Sequence, residues 1–241
     1  MMKHLPHPPS GLIDPQLLML AYRGGIFPMA DSRDDPEIVW VEPRQRAIIP
    51  LDGIHVSRSL AKTLRQGRFS VTCNTAFSTV VDACAAPRPD LAGEDGESWI
   101  SERIAASYCL LHRMGLAHSV ECWRDGVLAG GLYGVGFDRV FCGESMFSRI
   151  ADASKVALCW LVAAMRASHL ELLDCQFITP HLGRMGARVM AQAQYLEQVR
   201  QACRPATPAD NYTALPVGFS SVLERASSPG YDIAHSLTQT S

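Results

Sequence analysis

The sequence is short of several things at once. No apolar run approaches the roughly 20 residues that span a bilayer; the longest, such as residues 157–165, fall well short. No membrane crossing is expected. The N-terminus, Met1-Met2-Lys3-His4-Leu5-Pro6-His7-Pro8-Pro9, lacks the apolar core of a signal peptide, so a cytoplasmic protein is expected. There is no CxxC and no HExxH: the eight cysteines are single and mostly within apolar segments, which suits reduced, buried thiols and predicts no metal. Charge is sparse and balanced, with 22 basic against 24 acidic residues in 241 and a net charge of −2. What is abundant is apolar: 47% hydrophobic residues can bury a core of ordinary size.

Local signals divide the chain into pieces. The Pro-rich residues 1–10 read as a flexible N-terminus. Asp14 can cap a helix over 15–22 that stops at Gly24-Gly25, and short strands over 38–40 and 47–49 precede a turn at Leu51-Asp52-Gly53. A boundary near residue 50 thus separates a small N-terminal domain, 11–50, from a larger one, 51–203. Helices are expected over 59–66, over 75–85 and from Ser101 to Gly115, with a polar exposed loop over 86–96. Residues 117–124 and 127–135 around Asp125-Gly126 read as a hairpin, because both turn residues tolerate positive φ. A third strand over 139–146 follows. Asp152 then caps a very apolar helix over 153–167, a buried strand covers 170–178, and 180–184, 187–190 and 194–202 add helix, strand and helix. Residues 204–241, rich in Ser, Thr and Pro, read as a loosely held tail. The class is α+β, a mixed sheet with flanking helices.

Three segments carry chemistry. In Phe141-Cys142-Gly143-Glu144-Ser145-Met146-Phe147-Ser148 a carboxylate interrupts an apolar strand, at a cost of several kcal/mol unless it is paired or wet. Regular pleating puts Cys142, Glu144 and Met146 on one face; an edge strand with Glu144 in water is the alternative. In Leu173-Asp174-Cys175-Gln176 the same period places Asp174 and Gln176 together, either as a catalytic pair or as an acid held by an Arg or a backbone amide. Residues 44–68 hold six cations, Arg44, Arg46, Arg58, Lys62, Arg65 and Arg68, and one acid, Asp52. Within them Arg58, Lys62 and Arg65 share a helix face, a stripe for phosphates or simply a solvated surface.

These residues resemble one family, the bacterial leucyl/phenylalanyl-tRNA–protein transferases. The resemblance runs in order through Ala21-Tyr22-Arg23-Gly24-Gly25-Ile26-Phe27-Pro28, Trp99-Ile100, His118-Ser119-Val120-Glu121-Cys122-Trp123-Arg124, Gly130-Gly131-Leu132-Tyr133-Gly134-Val135, Gly143-Glu144-Ser145-Met146-Phe147-Ser148 and Asp174-Cys175-Gln176. It implies an acyl-CoA N-acyltransferase-like (GNAT-like) domain after the small N-terminal one. Phe147-Ser148-Arg149-Ile150-Ala151, before the Asp152 helix, has no glycine with which to cradle a pyrophosphate, so the implied donor is aminoacyl-tRNA and no cofactor is expected.

The implied reaction moves Leu, and also Phe or Met, from its tRNA to the α-amine of a protein or peptide with N-terminal Arg or Lys, marking it for degradation. The implied catalytic residues are Asp174, Gln176 and Glu144, with Gln176 aiming the amine and Asp174 orienting it. Leu132, Phe141, Met146, Leu158, Leu161 and Leu173 align with the donor side-chain pocket; the cationic stripe of Arg58, Lys62 and Arg65 is expected to contact phosphates of the tRNA acceptor stem, since the whole chain is slightly acidic. Trp99 and Tyr22 fall near the site or in the core. Met29 stands where many relatives carry Trp, and Leu161 where some carry Phe, which bears on donor preference. The acids Asp31, Asp34, Asp35 and Glu37 offer a field for a basic acceptor, or are solvated surface. The competing readings are a non-catalytic RNA-binding module and an acyl-CoA-dependent N-acyltransferase.

Overall fold

A computed structural model describes residues 11–87, 98–204, 215–225 and 229–238. The N-terminal ten residues and most of the loop expected over 86–96 lie outside them. Among the described residues no helix is long and apolar enough to cross a membrane.

The chain opens with helix α1 (Pro15–Arg23), whose Asp14 carboxylate accepts from the Gln16 N–H, and a small two-stranded sheet, β1 (Phe27–Met29) against β2 (Val39–Val41). Next come β3 (Gln45–Ile49), α2 (Arg58–Arg65), β4 (Ser70–Cys73), α3 (Phe77–Ala85) and α4 (Glu102–Arg113). Ser57 and Ser101 cap α2 and α4 through the amides of Leu60 and Ile104. The hairpin of β5 (Ala117–Arg124) and β6 (Val127–Phe137) turns at Asp125 and Gly126 with φ of 53° and 75°, the positive pair that the turn requires. Then follow β7 (Val140–Ser148), α5 (Ala153–Ala167), β8 (Leu172–Asp174), α6 (Pro180–Arg184), β9 (Arg188–Ala191) and α7 (Gln192–Ala202).

Seven strands form one sheet in the order β4-β5-β6-β7-β8-β3-β9, antiparallel except for the parallel pair β7 and β8. Side chains of β6 alternate between its two faces: Leu132 joins the core under α2 and α5, Tyr133 the core under α1, α3, α4 and α7. The α+β class thus stands. The division near residue 50 does not describe the sheet, because β3, from the N-terminal stretch, is an interior strand between β8 and β9. The strand expected over 170–178 is also only three residues long. After Asp174 the backbone parts from β7, while Cys175 and Gln176 stay hydrogen-bonded to Ala47 of β3, and Gln176 adopts φ 54°.

Two other expectations fail for identifiable reasons. Asp152 makes no side-chain cap on α5; its own backbone is left-handed at φ 71°, and its carboxylate pairs with Lys155 Nζ at 2.8 Å. Residues 204–241 are not simply a loose tail, since they contain α8 (Leu215–Arg225) and α9 (Pro229–Thr238), packed on α5 and α2. The Phe219 ring lies 5.2 Å from Trp160, and Leu215, Ile233 and Leu237 are buried in the same core. Gly218 lets α8 touch α5: a Cβ there would collide with Ser168 Oγ and the Ala164 carbonyl. Twelve of the fifteen residues of α5 are buried because the sheet covers one side and these helices another.

This packing has a measurable weight. Phe219→Ala should cost about 3 kcal/mol in urea unfolding, whereas Val217→Ala, at an exposed position, should stay within about 0.5 kcal/mol of wild type. Equal midpoints for Phe219→Ala and wild type would show that α8 adds nothing to the core.

Candidate active site

The parallel strands β7 and β8 pair only through Val140↔Leu172, Phe141↔Leu173 and Cys142↔Asp174. Beyond this point β7 runs on to Ser148 while the chain after Asp174 turns away. Between the parting strands lies a cavity of about 1100 Å³.

β7 enters it with a bulge. Gly143 pairs with Gly134 and Ser145 with Tyr133, so Glu144 is an extra residue with no partner of its own. One inserted residue exchanges the faces of a strand. Cys142 therefore packs with the α4 core and Met146 with the α5 core, which corrects the expectation that Cys142, Glu144 and Met146 share a face. Glu144 is 8% exposed, so the edge-strand alternative fails too. Its Oε2 accepts from the Tyr108 hydroxyl at 2.8 Å, and Tyr108 shares a 2.7 Å hydrogen bond with Tyr22. Its Oε1 accepts from Gln176 Nε2 at 3.1 Å. Among the described residues no cation pairs with it. Burial raises its pKa to about 7, the phenol hydrogen bonds pulling the other way.

Asp174 is completely buried and stands on Arg46. The guanidinium donates through Nε to Oδ1 at 2.8 Å and through Nη2 to Oδ2 at 2.6 Å, a bidentate pair with both side chains at zero exposure. Tyr195 adds a hydrogen bond to Oδ2 at 3.1 Å, and the Gln176 backbone N–H one to Oδ1 at 2.9 Å. Arg46 also donates to the Gly25 carbonyl at 3.0 Å and lies between the rings of Phe27 and Tyr195, 4.8 and 4.6 Å from their centroids. Asp174 thus faces no cavity; it anchors the loop that presents Gln176, whose side chain does line it. The Gln176 Nε2 is spent on Glu144, and its Oε1 has no partner among the described residues.

The apolar wall contains Leu132, Met146, Leu158, Leu161 and Leu173, while Met29 and Trp99 line the cavity from the side of β1 and α3. Phe141 does not line it: its ring lies over Gly134, where a Cβ would come within 2.6 Å of it. Tyr22 is core, fully buried, and hydrogen-bonds to Tyr108 beside Glu144. Arg58, Lys62 and Arg65 lie exposed on α2, away from the cavity lining and in no ion pair among the described residues. Asp31, Asp34, Asp35 and Glu37 also lie outside it, and Asp35 accepts from the amides of Asp31 and Glu37. Among the described residues no three His, Cys, Asp or Glu side chains gather as a metal site.

Three supporting residues escape a reading of the sequence alone: Arg46, Tyr108 and Tyr195. Arg46 counts there as one more charge of a basic stretch, although an arginine before Ala47-Ile48-Ile49 already signals a buried partner. The tyrosines sit in helical apolar stripes, where only the need of a buried hydroxyl for a partner distinguishes them.

Comparison with known proteins bears on this geometry. Residues 11–44 match the model of the leucyl/phenylalanyl-tRNA protein transferase N-terminal domain, and residues 48–200 that of leucyl/phenylalanyl-tRNA protein transferase. A leucyl/phenylalanyl-tRNA–protein transferase of Novosphingobium aromaticivorans is 55% identical over 95% of this chain and 97% of its own. Proteins of the same description from Zymomonas mobilis and Rhodopseudomonas palustris are 52% and 51% identical over 80% and 85% of this chain, and 70% and 88% of their own.

The two carboxylates should respond differently to perturbation. Arg46→Met leaves Asp174 buried and unpaired, and should cost about 3–5 kcal/mol in urea unfolding. For Glu144 the folded pKa of about 7 lies above the ordinary 4.5, so the folded state keeps a proton that the unfolded chain has released. Its contribution is then full below pH 4.5 and is lost as pH rises through 7, on the order of 3 kcal/mol. Glu144→Gln should remove that slope. A wild-type-minus-variant stability difference that is the same at about pH 5 and about pH 8 would mean that Glu144 ionises normally.

Proposed function

The chain belongs to the leucyl/phenylalanyl-tRNA–protein transferase family, and from that premise we propose that the cavity between β7 and β8 joins a leucyl, phenylalanyl or methionyl group from tRNA to proteins with N-terminal Arg or Lys, marking them for degradation. The observation that carries this is one continuous lining: an apolar wall, a carboxylate with a pKa near 7, and an amide oxygen left free beside it.

The donor side chain lies against Leu132, Met146, Leu158, Leu161 and Leu173. A wall of this kind separates Leu from Val by roughly 1–3 kcal/mol. Leucine at 161 leaves volume for the larger Phe and the flexible Met. Trp99 offers a ring for the terminal adenine, and Met29 a polarizable contact. The cationic face of α2, Arg58, Lys62 and Arg65, takes acceptor-stem phosphates.

The aminoacyl ester is already activated, so the protein has to bring in a neutral amine and manage one proton. Gln176 Oε1 accepts a hydrogen bond from the α-amine and aims its lone pair at the ester carbonyl. Asp174 fixes that aim through the Gln176 backbone and does not exchange protons. Glu144, close to half ionised at neutral pH, takes a proton from the arriving ammonium. As the C–N bond forms and the C–O bond to the ribose breaks, the attacking nitrogen gives up its second proton to the leaving ribose oxygen, and Glu144 releases the first to solvent. The same carboxylate attracts a basic N-terminus, since among the described residues it has no cationic partner.

The test is transfer of labelled Phe or Leu from its tRNA to peptides that begin with Arg, Lys or Ala. Label on the Arg and Lys peptides alone is expected. Equal labelling of the Ala peptide would overturn the acceptor assignment, and acylation from acetyl-CoA the donor assignment. Gln176→Ala should lower kcat about 100-fold, with the KM for Phe-tRNA within about twofold of wild type. Near wild-type turnover in that variant would remove Gln176 from the reaction.

A further inference from the structure

The opening of the cavity carries a group of cations that the proposed reaction does not use. Its lining includes Arg149, after β7, and His181 and Arg184 of α6, and among the described residues its one carboxylate is Glu144. Asp152, at the start of α5, is engaged by Lys155. Arg149 and Arg184 are exposed, hence at the mouth. The Arg149 guanidinium lies 5.3 Å over the Phe147 ring and, among the described residues, commits only Nη1, to the Leu128 carbonyl at 3.3 Å. Arg184 has no partner among the described residues. His181 Nε2 is buried with no hydrogen-bond partner among the described residues, an arrangement that costs free energy until a ligand supplies one. Burial, then Lys155 and Arg184, push the imidazole pKa down, so the ring is neutral beside two cations.

We propose that Arg149, His181 and Arg184 form a phosphodiester-binding rim, which holds the RNA backbone just before the terminal nucleotide whose aminoacyl ester enters the cavity. This rests on the donor reading above and extends it to residues that the family resemblance does not assign. Two guanidinium groups give paired N–H donors for phosphate oxygens, and His181 Nε2 adds a directed third. The rim also leads somewhere. The His55 N–H donates to the Met185 carbonyl at 2.9 Å, which ties the end of α6 to the segment entering α2. From Arg184 the cations therefore continue to Arg58, Lys62 and Arg65, a track from the cavity mouth along an exposed helix face. In a chain of net charge −2, phosphates have this as their natural route. The carbonyl-bound Nη1 of Arg149 and the stack on Phe147 hold one end of the rim in place before any RNA arrives.

The experiment compares two donors that differ in phosphate: Phe-tRNA, and phenylalanyl adenosine, which carries the same ester and adenine with no phosphate. For Arg184→Ala and for His181→Ala/Arg184→Ala, transfer to an Arg-starting peptide is measured with each. The ratio of kcat/KM for Phe-tRNA over phenylalanyl adenosine should fall about tenfold in the double variant, and the salt dependence of the Phe-tRNA KM should flatten by about one counterion per lost charge. Arg184→Lys should keep most of the ratio. A ratio equal to that of wild type in both Ala variants overturns the rim, whether because Phe-tRNA is unaffected or because both donors lose equally. If the double variant fails to fold, Arg184→Ala, a change at an exposed position, decides alone. Wild-type protein that transfers nothing from Phe-tRNA would instead overturn the donor reading itself.

Discussion

The ion pair between Arg46 and Asp174 is the contact on which the geometry of the site depends. Two charges at zero exposure cost several kcal/mol each to desolvate, and are tolerable because each guanidinium nitrogen and each carboxylate oxygen has a hydrogen-bond partner. What the pair secures is position. Arg46 comes from β3, Asp174 from β8, Gly25 from the turn after α1 and Tyr195 from α7, so one guanidinium and one carboxylate hold four parts of the chain at the edge of the cavity. The Gln176 amide hangs from the same carboxylate, and its left-handed backbone at φ 54° is an unfavourable conformation for a residue with a side chain. The pair keeps that conformation and turns the Gln176 side chain toward Glu144.

The second constraint is the bulge at Glu144. Without the extra residue, β7 would present Cys142, Glu144 and Met146 in one row. With it, the carboxylate lies toward Tyr108 and Tyr22, and the following apolar side chain crosses to the α5 face. A strand that would otherwise be half polar on one side becomes a divider, with the acid on one side and the apolar wall on the other. The cavity opens where these meet, because β8 has already ended.

Much of this could be read from the sequence, and the rest is hidden for physical reasons. The helix at 153–167 and the hairpin around Asp125-Gly126 follow from strong periodicity and specific turn chemistry, and the structure has both. Glu144 and Gln176 attract notice because polar groups in apolar strands need partners. The role of Arg46 is hidden because a sequence shows charge but not burial, and an arginine between Arg44 and Arg58 looks like part of a surface stripe. The tail misleads for a related reason. Its Ser, Thr and Pro residues suggest loop, yet the chain there forms α8 and α9, and Gly218 and Gly230 allow these to approach α5 and the Leu64 carbonyl of α2 closely. Phe141 fails as a pocket residue because only three dimensions show that Gly134 leaves a hollow for its ring.

The two carboxylates of the site show how environment divides labour between chemically identical groups. Asp174 has both oxygens filled by Arg46, Tyr195 and a backbone amide, and no path to the cavity; a group so enclosed can fix geometry but cannot exchange protons with a substrate. Glu144 is equally buried in protein on one side, but its partners are two neutral donors, a phenol and an amide, and its other side is the cavity. Neutral donors stabilise the anion only in part, so burial wins and the pKa settles near 7. Exchanging these surroundings would exchange the roles: a guanidinium beside Glu144 would hold it ionised and repel a basic N-terminus. Placing the arginine one strand away, on the carboxylate that must not move, leaves the other carboxylate both reactive and attractive to a cation.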